Sequence, residues 1–225
     1  MTPALVFDLD GTLVDTAPDL LVALNFVLVR EGRRPVNLVD LRTLVGFGAR
    51  TLLAEAFKMT GDPADPARLE DLRDAFIVHY RDHIADGSRP FPGVVETLEA
   101  FQAEGARMGV LTNKPHELTD LLIRKLGLEN YFGAIFGQGR RPYTKPDARI
   151  FPDVVDELGG PGAGALMIGD SVTDVQTARN AGVPVILVPY GYTPEPASTL
   201  GADAVVDCFA DVPAAVRRLI GGRPA

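Results

Sequence analysis

Residues 5–16 read Leu-Val-Phe-Asp-Leu-Asp-Gly-Thr-Leu-Val-Asp-Thr, and the fold turns on how this stretch is read. A compact apolar run, Ala4–Phe7, delivers two carboxylates, Asp8 and Asp10, with Gly11 and Thr12 directly behind them. Side chains alternate along an extended segment, so Asp8 and Asp10 project to the same side. Two like charges roughly 4 Å apart repel by about 1 kcal/mol in water and about 4 kcal/mol in a partly buried site. A cation offsets that repulsion, so the pair reads as half of a metal site at a strand end. The plainer alternative is a strand running into an acidic turn, with Gly11 serving the turn.

The chain after this strand has a different period. From Pro18 to about Ile84 the pattern is helical. Leu20, Leu21, Leu24, Val27 and Leu28 share one face; Leu52, Leu53, Ala56 and Phe57 share a second; Leu69, Leu72, Phe76, Tyr80 and Ile84 share a third. Residues 86–93 are a linker by composition. Beyond them, strands are expected at 107–111, 133–137, 165–168, 185–188 and 204–206. Helices are expected between and after them, at 94–104, 117–126, 150–158, 172–181 and 212–220. Such alternation predicts an α/β fold, a doubly wound parallel sheet covered on both faces. Residues 1–15 and 87–225 form the core in this reading, and residues 16–86 form an inserted α-helical cap. A domain of about 60 residues buries only about 60% of its unfolded surface, so the cap is expected to lean on the core and to move relative to it.

The chain has 225 residues, of which 46% are hydrophobic, enough for a real core and too many for disorder. A net charge of −8 argues against nucleic acid or an anionic membrane as the main partner. It leaves room for a small anionic substrate, because a metal and a few cations can invert the sign inside a pocket. Cys208 is the single cysteine, which excludes an intramolecular disulfide and a cysteine-based metal cluster. The sequence shows no charged-then-apolar leader and no apolar run near 20 residues, so a soluble cytoplasmic protein is expected, as monomer or homodimer.

In open parallel sheets the ligand site lies beyond the carboxyl ends of the strands. The first strand end supplies Asp8 and Asp10. The strand ending at Leu111 supplies Thr112, Asn113 and Lys114. The segment after the 133–137 strand leads to Thr144, Lys145 and Pro146, and the strand ending at Ile168 leads to Gly169, Asp170, Ser171 and Asp174. Each has an ordinary explanation alone: Thr112 and Asn113, or Asp170 and Ser171, as helix caps, Lys145 as a solvated loop residue, Asp174 as a first-turn acid favoured by the helix dipole. Together, four strand ends place phosphate- or metal-competent groups on one rim.

These four segments resemble the four motifs of the haloacid dehalogenase superfamily, in its phosphatase branch: FDLDGTLVDT at 7–16, LTN at 111–113, Lys145 with Pro146, and GDSVTD at 169–174. The resemblance implies that Asp8 is a nucleophile taking the phosphoryl group, and that Asp10 protonates the leaving oxygen and then activates water. It implies that Thr112 and the backbone near Asn113 hold phosphoryl oxygens and that Lys145 neutralises charge. Magnesium is implied between Asp8, the backbone carbonyl of Asp10 and Asp170, with Asp174 helping directly or through water. Dehalogenases of this family lack an aspartate at the place of Asp10, which favours phosphate chemistry here.

Leu41–Arg50 resembles a cap loop of phosphoglycolate phosphatases. Gly46 in its Val45–Gly48 element would let backbone amides approach the substrate, and Arg50 would pair with a substrate carboxylate or simply be solvated. Arg42 is a weaker candidate of the same kind. Arg140 and Arg141 lie near the mouth of the site or form a solvated turn. Gly137-Gln138-Gly139 stands where many such phosphatases carry Gly-Gly-Asp, and Ala148 stands where a second proline is usual. The expected function is magnesium-dependent hydrolysis of a small phosphomonoester through an aspartyl phosphate, with 2-phosphoglycolate first. The alternatives are a sugar phosphate, nucleotide or pyrophosphate as substrate and, behind them, a phosphomutase or a non-catalytic binding protein.

Overall fold

The computed structural model describes residues 2–46, 48–162 and 164–221, so Phe47, within the Val45–Gly48 element, lies outside the described residues. In chain order the elements are β1 (Ala4–Phe7), β2 (Val14–Asp15), α1 (Ala17–Arg30), α2 (Leu38–Arg42), α3 (Ala49–Thr60), α4 (Arg68–Asp82), β3 (Arg89–Pro90), α5 (Val94–Ala103), β4 (Arg107–Pro115), α6 (His116–Lys125), β5 (Ala134–Gln138), α7 (Ile150–Glu157), β6 (Ala165–Gly169), α8 (Val172–Ala181), β7 (Val185–Leu187), β8 (Ala204–Val205) and α9 (Val212–Gly221). Six of the strands form one parallel sheet in the order β5-β4-β1-β6-β7-β8.

The sequence of β1 reflects its place in the middle. Val6 pairs with Gly109 of β4 on one side and with Met167 of β6 on the other. Both faces of the sheet are covered, which is why Ala4–Phe7 is an unbroken apolar run rather than an alternating one. Leu5 and Phe7 pack with Leu98, Phe101, Leu118 and Leu122 from α5 and α6. Ala4 and Val6 join the opposite layer, with Phe151, Val154, Val175 and Ala178 from α7 and α8. The chain steps from β1 outward to β4 and β5, then returns to the other side of β1 for β6, β7 and β8. The carboxyl ends of β1 and β6 therefore flank the point where the winding reverses, and a crevice opens there.

Helices α1–α4 continue the apolar layer that begins under α5 and α6, through Leu24, Leu28, Leu53, Phe76 and Tyr80. Helix α2 is started by a reciprocal cap: the Asn37 side chain accepts from the Asp40 amide, and Asp40 accepts from the Asn37 amide. The segments on either side of this helical block pair as a short antiparallel ribbon, Val14 with Pro90 and Asp15 with Arg89. Asp19 of α1 reinforces the ribbon, accepting from the amides of Gly87 (2.7 Å) and Ser88 (2.8 Å) and from the Ser88 hydroxyl (2.6 Å).

The sequence does not announce this ribbon, because two residues are too few to show a period. Strand β4 runs on to Pro115 instead of stopping at Leu111, and β5 begins one residue later than expected, at Ala134. Among the described residues, no helix is long and apolar enough to cross a membrane.

Candidate active site

The end of β1 is still tied to the sheet when it delivers Asp8, whose amide donates to the Ile168 carbonyl (2.9 Å). The Leu9 amide donates to Asp8 Oδ1 (2.7 Å) and fixes the carboxylate. The chain then turns at Gly11, where φ is +85° and a Cβ would stand 2.7 Å from Asp170 Oδ2. Glycine is required here for both reasons, left-handed backbone and close approach. The next residue, Thr12, donates its hydroxyl to Asp170 Oδ1 (2.7 Å). The Tyr192 amide donates to Asp170 Oδ2 (2.7 Å), so both oxygens of Asp170 are oriented.

Asp174 enters from the first turn of α8 and is fully buried. Its Oδ2 accepts from the amides of Asp170 (3.2 Å) and Ser171 (3.1 Å) and from the Ser171 hydroxyl (2.8 Å). Its Oδ1 accepts from Lys145 Nζ (2.6 Å), and the same ammonium lies 3.0 Å from Asp8 Oδ1. Lys145 thus bridges the ends of β1 and β6. Its loop is tied in turn to the end of β4, where Asn113 Nδ2 donates to the Lys145 carbonyl (3.2 Å). Thr112 is buried beside Asn113. The next residue, Lys114, reaches across to Asp10, with Nζ at 3.1 and 3.3 Å from the two carboxylate oxygens.

Burial pushes the Asp8 carboxyl up to about 6; Lys145 pulls it down, while Asp174 and Asp10 add to the rise. Burial, with Asp174 and Asp8 nearby, also holds Asp170 well above the usual carboxylate range. Burial works against a charge on Lys145, yet the carboxylates of Asp174 and Asp8 outweigh it and hold the ammonium above its ordinary value. Counted together, Asp8, Asp10, Asp170 and Asp174 bring four carboxylates against the two ammonium groups of Lys114 and Lys145. The surplus of two negative charges equals the charge of one divalent cation. Asp8, Asp170 and Asp174 each offer an oxygen within 4.8 Å of the others, and an all-oxygen donor set suits a hard cation.

These groups line or back a small cavity between the helical block and the sheet, about 70 Å³ in volume. Asp8, Asp10, Thr112, Asn113, Lys145 and Asp170 lie in its wall, as does Gly46 on the helical side. Arg50 does not. It pairs with Glu70 (2.9 Å) on the surface of the helical block, and both side chains are more than half exposed. Arg42 lies 3.4 Å from Asp15, next to the linker ribbon. Arg140 and Arg141 pair with Glu157 and Asp153 and sit over Phe136, away from the cavity wall. Three polar side chains of the wall stand outside the motifs, those of Lys114, Tyr80 and Tyr192. Lys114 comes directly after LTN and had a signal in the sequence; Tyr80 and Tyr192 come from distant segments and had none.

The fold, the switch-point crevice and the buried acidic cluster together fit an α/β hydrolase whose cavity could hold a divalent cation. A family model described as haloacid dehalogenase-like hydrolase matches residues 5–188. The chain is 48% identical to a phosphoglycolate phosphatase of Caulobacter vibrioides over 98% of its own length and 93% of that protein's. It is 42% identical to a phosphoglycolate phosphatase of Agrobacterium fabrum, over 98% and 95%. A crystal structure of a predicted phosphoglycolate phosphatase from Haemophilus somnus superposes with a TM-score of 0.88 at 29% identity, covering 96% of this chain and 98% of that one. The chain belongs to the haloacid dehalogenase-like hydrolase family. Within it, the chain is a phosphoric monoester hydrolase.

The crowding around Asp170 gives a direct test of the site's geometry. A Cβ on Gly191 would stand 2.3 Å from the Asp170 Cβ. Gly191→Ala is therefore expected to displace Asp170 and to lower phosphatase activity at least tenfold. Steady-state rates of the folded variant check it, and wild-type rates would show that activity does not depend on the position of Asp170.

Proposed function

We propose that this chain is a magnesium-dependent phosphatase that hydrolyses 2-phosphoglycolate through an aspartyl phosphate on Asp8. The observation that carries the reading is the convergence of Asp8, Asp170 and Lys145 in one small cavity with Asp10 in the same wall. Asp8 attacks phosphorus; an Asp8 oxygen–phosphorus bond forms as the bond to the leaving oxygen breaks. Asp10 donates a proton to that oxygen and later takes one from the water that hydrolyses the acyl phosphate. The Thr112 hydroxyl and the backbone around Asn113 hold phosphoryl oxygens, and Lys145 offsets charge on Asp8 and on the transferring group.

Asp8, Asp170 and the backbone carbonyl of Asp10 would hold the magnesium ion. When bound, it supplies charge neutralisation to carboxylates and phosphoryl oxygens that otherwise repel. Hydrogen bonds commit the Asp174 oxygens to Lys145 and to the start of α8, so its part is to orient Asp170 and Lys145. Residues 16–86 act as a cap over the core, and Gly46 brings backbone amides to the substrate. The substrate reading is supported by the relatives named phosphoglycolate phosphatase. The enzyme works in the cytoplasm on a small metabolite, without nucleic acid or membrane.

A panel of phosphorylated metabolites, assayed with magnesium and with EDTA, tests this. The expected result is turnover that EDTA abolishes and magnesium restores, with 2-phosphoglycolate highest in kcat/KM. Acid quenching during turnover of 32P-labelled substrate is expected to leave label on the protein. Equal rates in EDTA would refute the metal requirement, a sugar phosphate at the head of the ranking would refute the substrate, and unlabelled protein would refute the covalent intermediate.

A further inference from the structure

A small substrate with a second negative charge needs a cation to meet it, and the cavity offers few. Among the described residues, Lys145 and Lys114 are the lysines of its wall, and no arginine lines it. Lys145 is engaged by Asp8 and Asp174. Lys114 is differently placed. Its side chain is 3% exposed, and Nζ lies between the two oxygens of Asp10 and the hydroxyl of Tyr80, to which it donates at 2.6 Å. The ammonium also lies 4.4 Å from the centre of the Tyr80 ring. Tyr80 belongs to α4 in the helical block and Lys114 to β4 in the sheet, and both line the cavity. The other described side chains of the helical wall, among them Leu20, Ala49, Leu52, Phe76 and Ile77, are apolar.

Bond connectivity then does the selecting. In 2-phosphoglycolate a single methylene separates the ester oxygen from the carboxylate. Whatever group faces the leaving oxygen must therefore have the carboxylate close beside it. Asp10 holds that place in the proposed mechanism, and Lys114 Nζ is 3.1 Å from it. We infer that Lys114, held in position by Tyr80, binds the substrate carboxylate and restricts the enzyme to 2-phosphoryloxy carboxylates. This rests on the proposed phosphatase activity. An ammonium has three donors; the incoming carboxylate takes one that Lys114 now shares with Asp10, and Tyr80 keeps another.

The test compares kcat/KM for 2-phosphoglycolate, for 3-phosphooxypropanoate, in which the carboxylate is one methylene further out, and for ethyl phosphate, which has none. Wild-type enzyme is expected to prefer 2-phosphoglycolate to ethyl phosphate by at least a hundredfold, with 3-phosphooxypropanoate close to ethyl phosphate. A wild-type enzyme indifferent to the carboxylate would sink the substrate reading and this assignment with it. Equal use of the two carboxylated esters would overturn the spacing argument alone.

Removing a charge-assisted partner costs roughly tenfold to a hundredfold or more. Lys114→Met is accordingly expected to cut the preference for 2-phosphoglycolate about a hundredfold, mainly through KM. Equal losses on 2-phosphoglycolate and ethyl phosphate would show instead that Lys114 serves Asp10 only. Should the Met variant not fold, Tyr80→Phe carries the same comparison, with a several-fold loss of preference expected and an unchanged preference overturning the assignment.

Discussion

Asp8→Asn is expected to eliminate turnover and, in the same molecule, to make the metal-free protein more stable. An amide cannot serve as the attacking group, and removal of a covalent nucleophile typically costs about 10⁴-fold or more in kcat. The stability gain comes from the raised carboxyl of Asp8. Its value of about 6, against 3.8 for the unfolded chain, means that the folded metal-free protein holds this proton more tightly than the unfolded one. The contribution of this group to stability is therefore complete below about pH 4, falls as pH rises, and is lost above about pH 6. The loss is on the order of 2–3 kcal/mol. Asparagine removes the charge while keeping an oxygen for the Leu9 amide and Lys145. Thermal denaturation in EDTA at pH 7.5 should show a melting temperature higher by several degrees, since 1 kcal/mol is worth about 2–4 °C at this size. The gain should shrink toward pH 4. Wild-type rates in this variant would remove Asp8 from its role, and a lower melting temperature at pH 7.5 would contradict the buried-charge account.

Asp174→Ala is expected to have the opposite sign in stability and nearly as severe an effect on activity. Its carboxylate is fully buried and receives Lys145, two backbone amides and a hydroxyl. Removing one partner of a buried ion pair leaves the other charge uncompensated, at a cost of about 3–5 kcal/mol. That corresponds to a melting temperature lower by roughly 10 °C. Activity should fall at saturating magnesium, because Lys145 loses the group that aims it. Rescue of the rate by added magnesium, with no change in melting temperature, would mean that Asp174 acts as a metal ligand rather than as a buried scaffold.

The fold was largely legible because its strongest signal is compositional. Ala4–Phe7, Ala165–Gly169 and Val185–Leu187 are short apolar runs set between helical patterns, as strands covered on both faces must be. The rim residues could be collected for the same reason, since each comes just after a strand end. The side-chain partners on the helical side of the cavity were harder. Arg50 has the right chemistry for a carboxylate, but its partner is Glu70, twenty positions away on another helix, and no local pattern reveals such a pair. Tyr80 was legible as an apolar helix position and is indeed buried. Its hydroxyl, the part that reaches Lys114, leaves no trace in a periodicity. The two-residue ribbon escaped for want of length.

Tyr192 joins what the sequence keeps far apart. Its amide holds Asp170, while its hydroxyl donates to Asp15 (2.6 Å) and accepts from the amides of Thr16 (2.7 Å) and Ala17 (2.8 Å). Because both connecting strands are also stitched to one another, the attachment of α1–α4 and the floor of the pocket share a single anchor. A change at Tyr192 would therefore reach the metal-competent carboxylate and the seat of the helical block together.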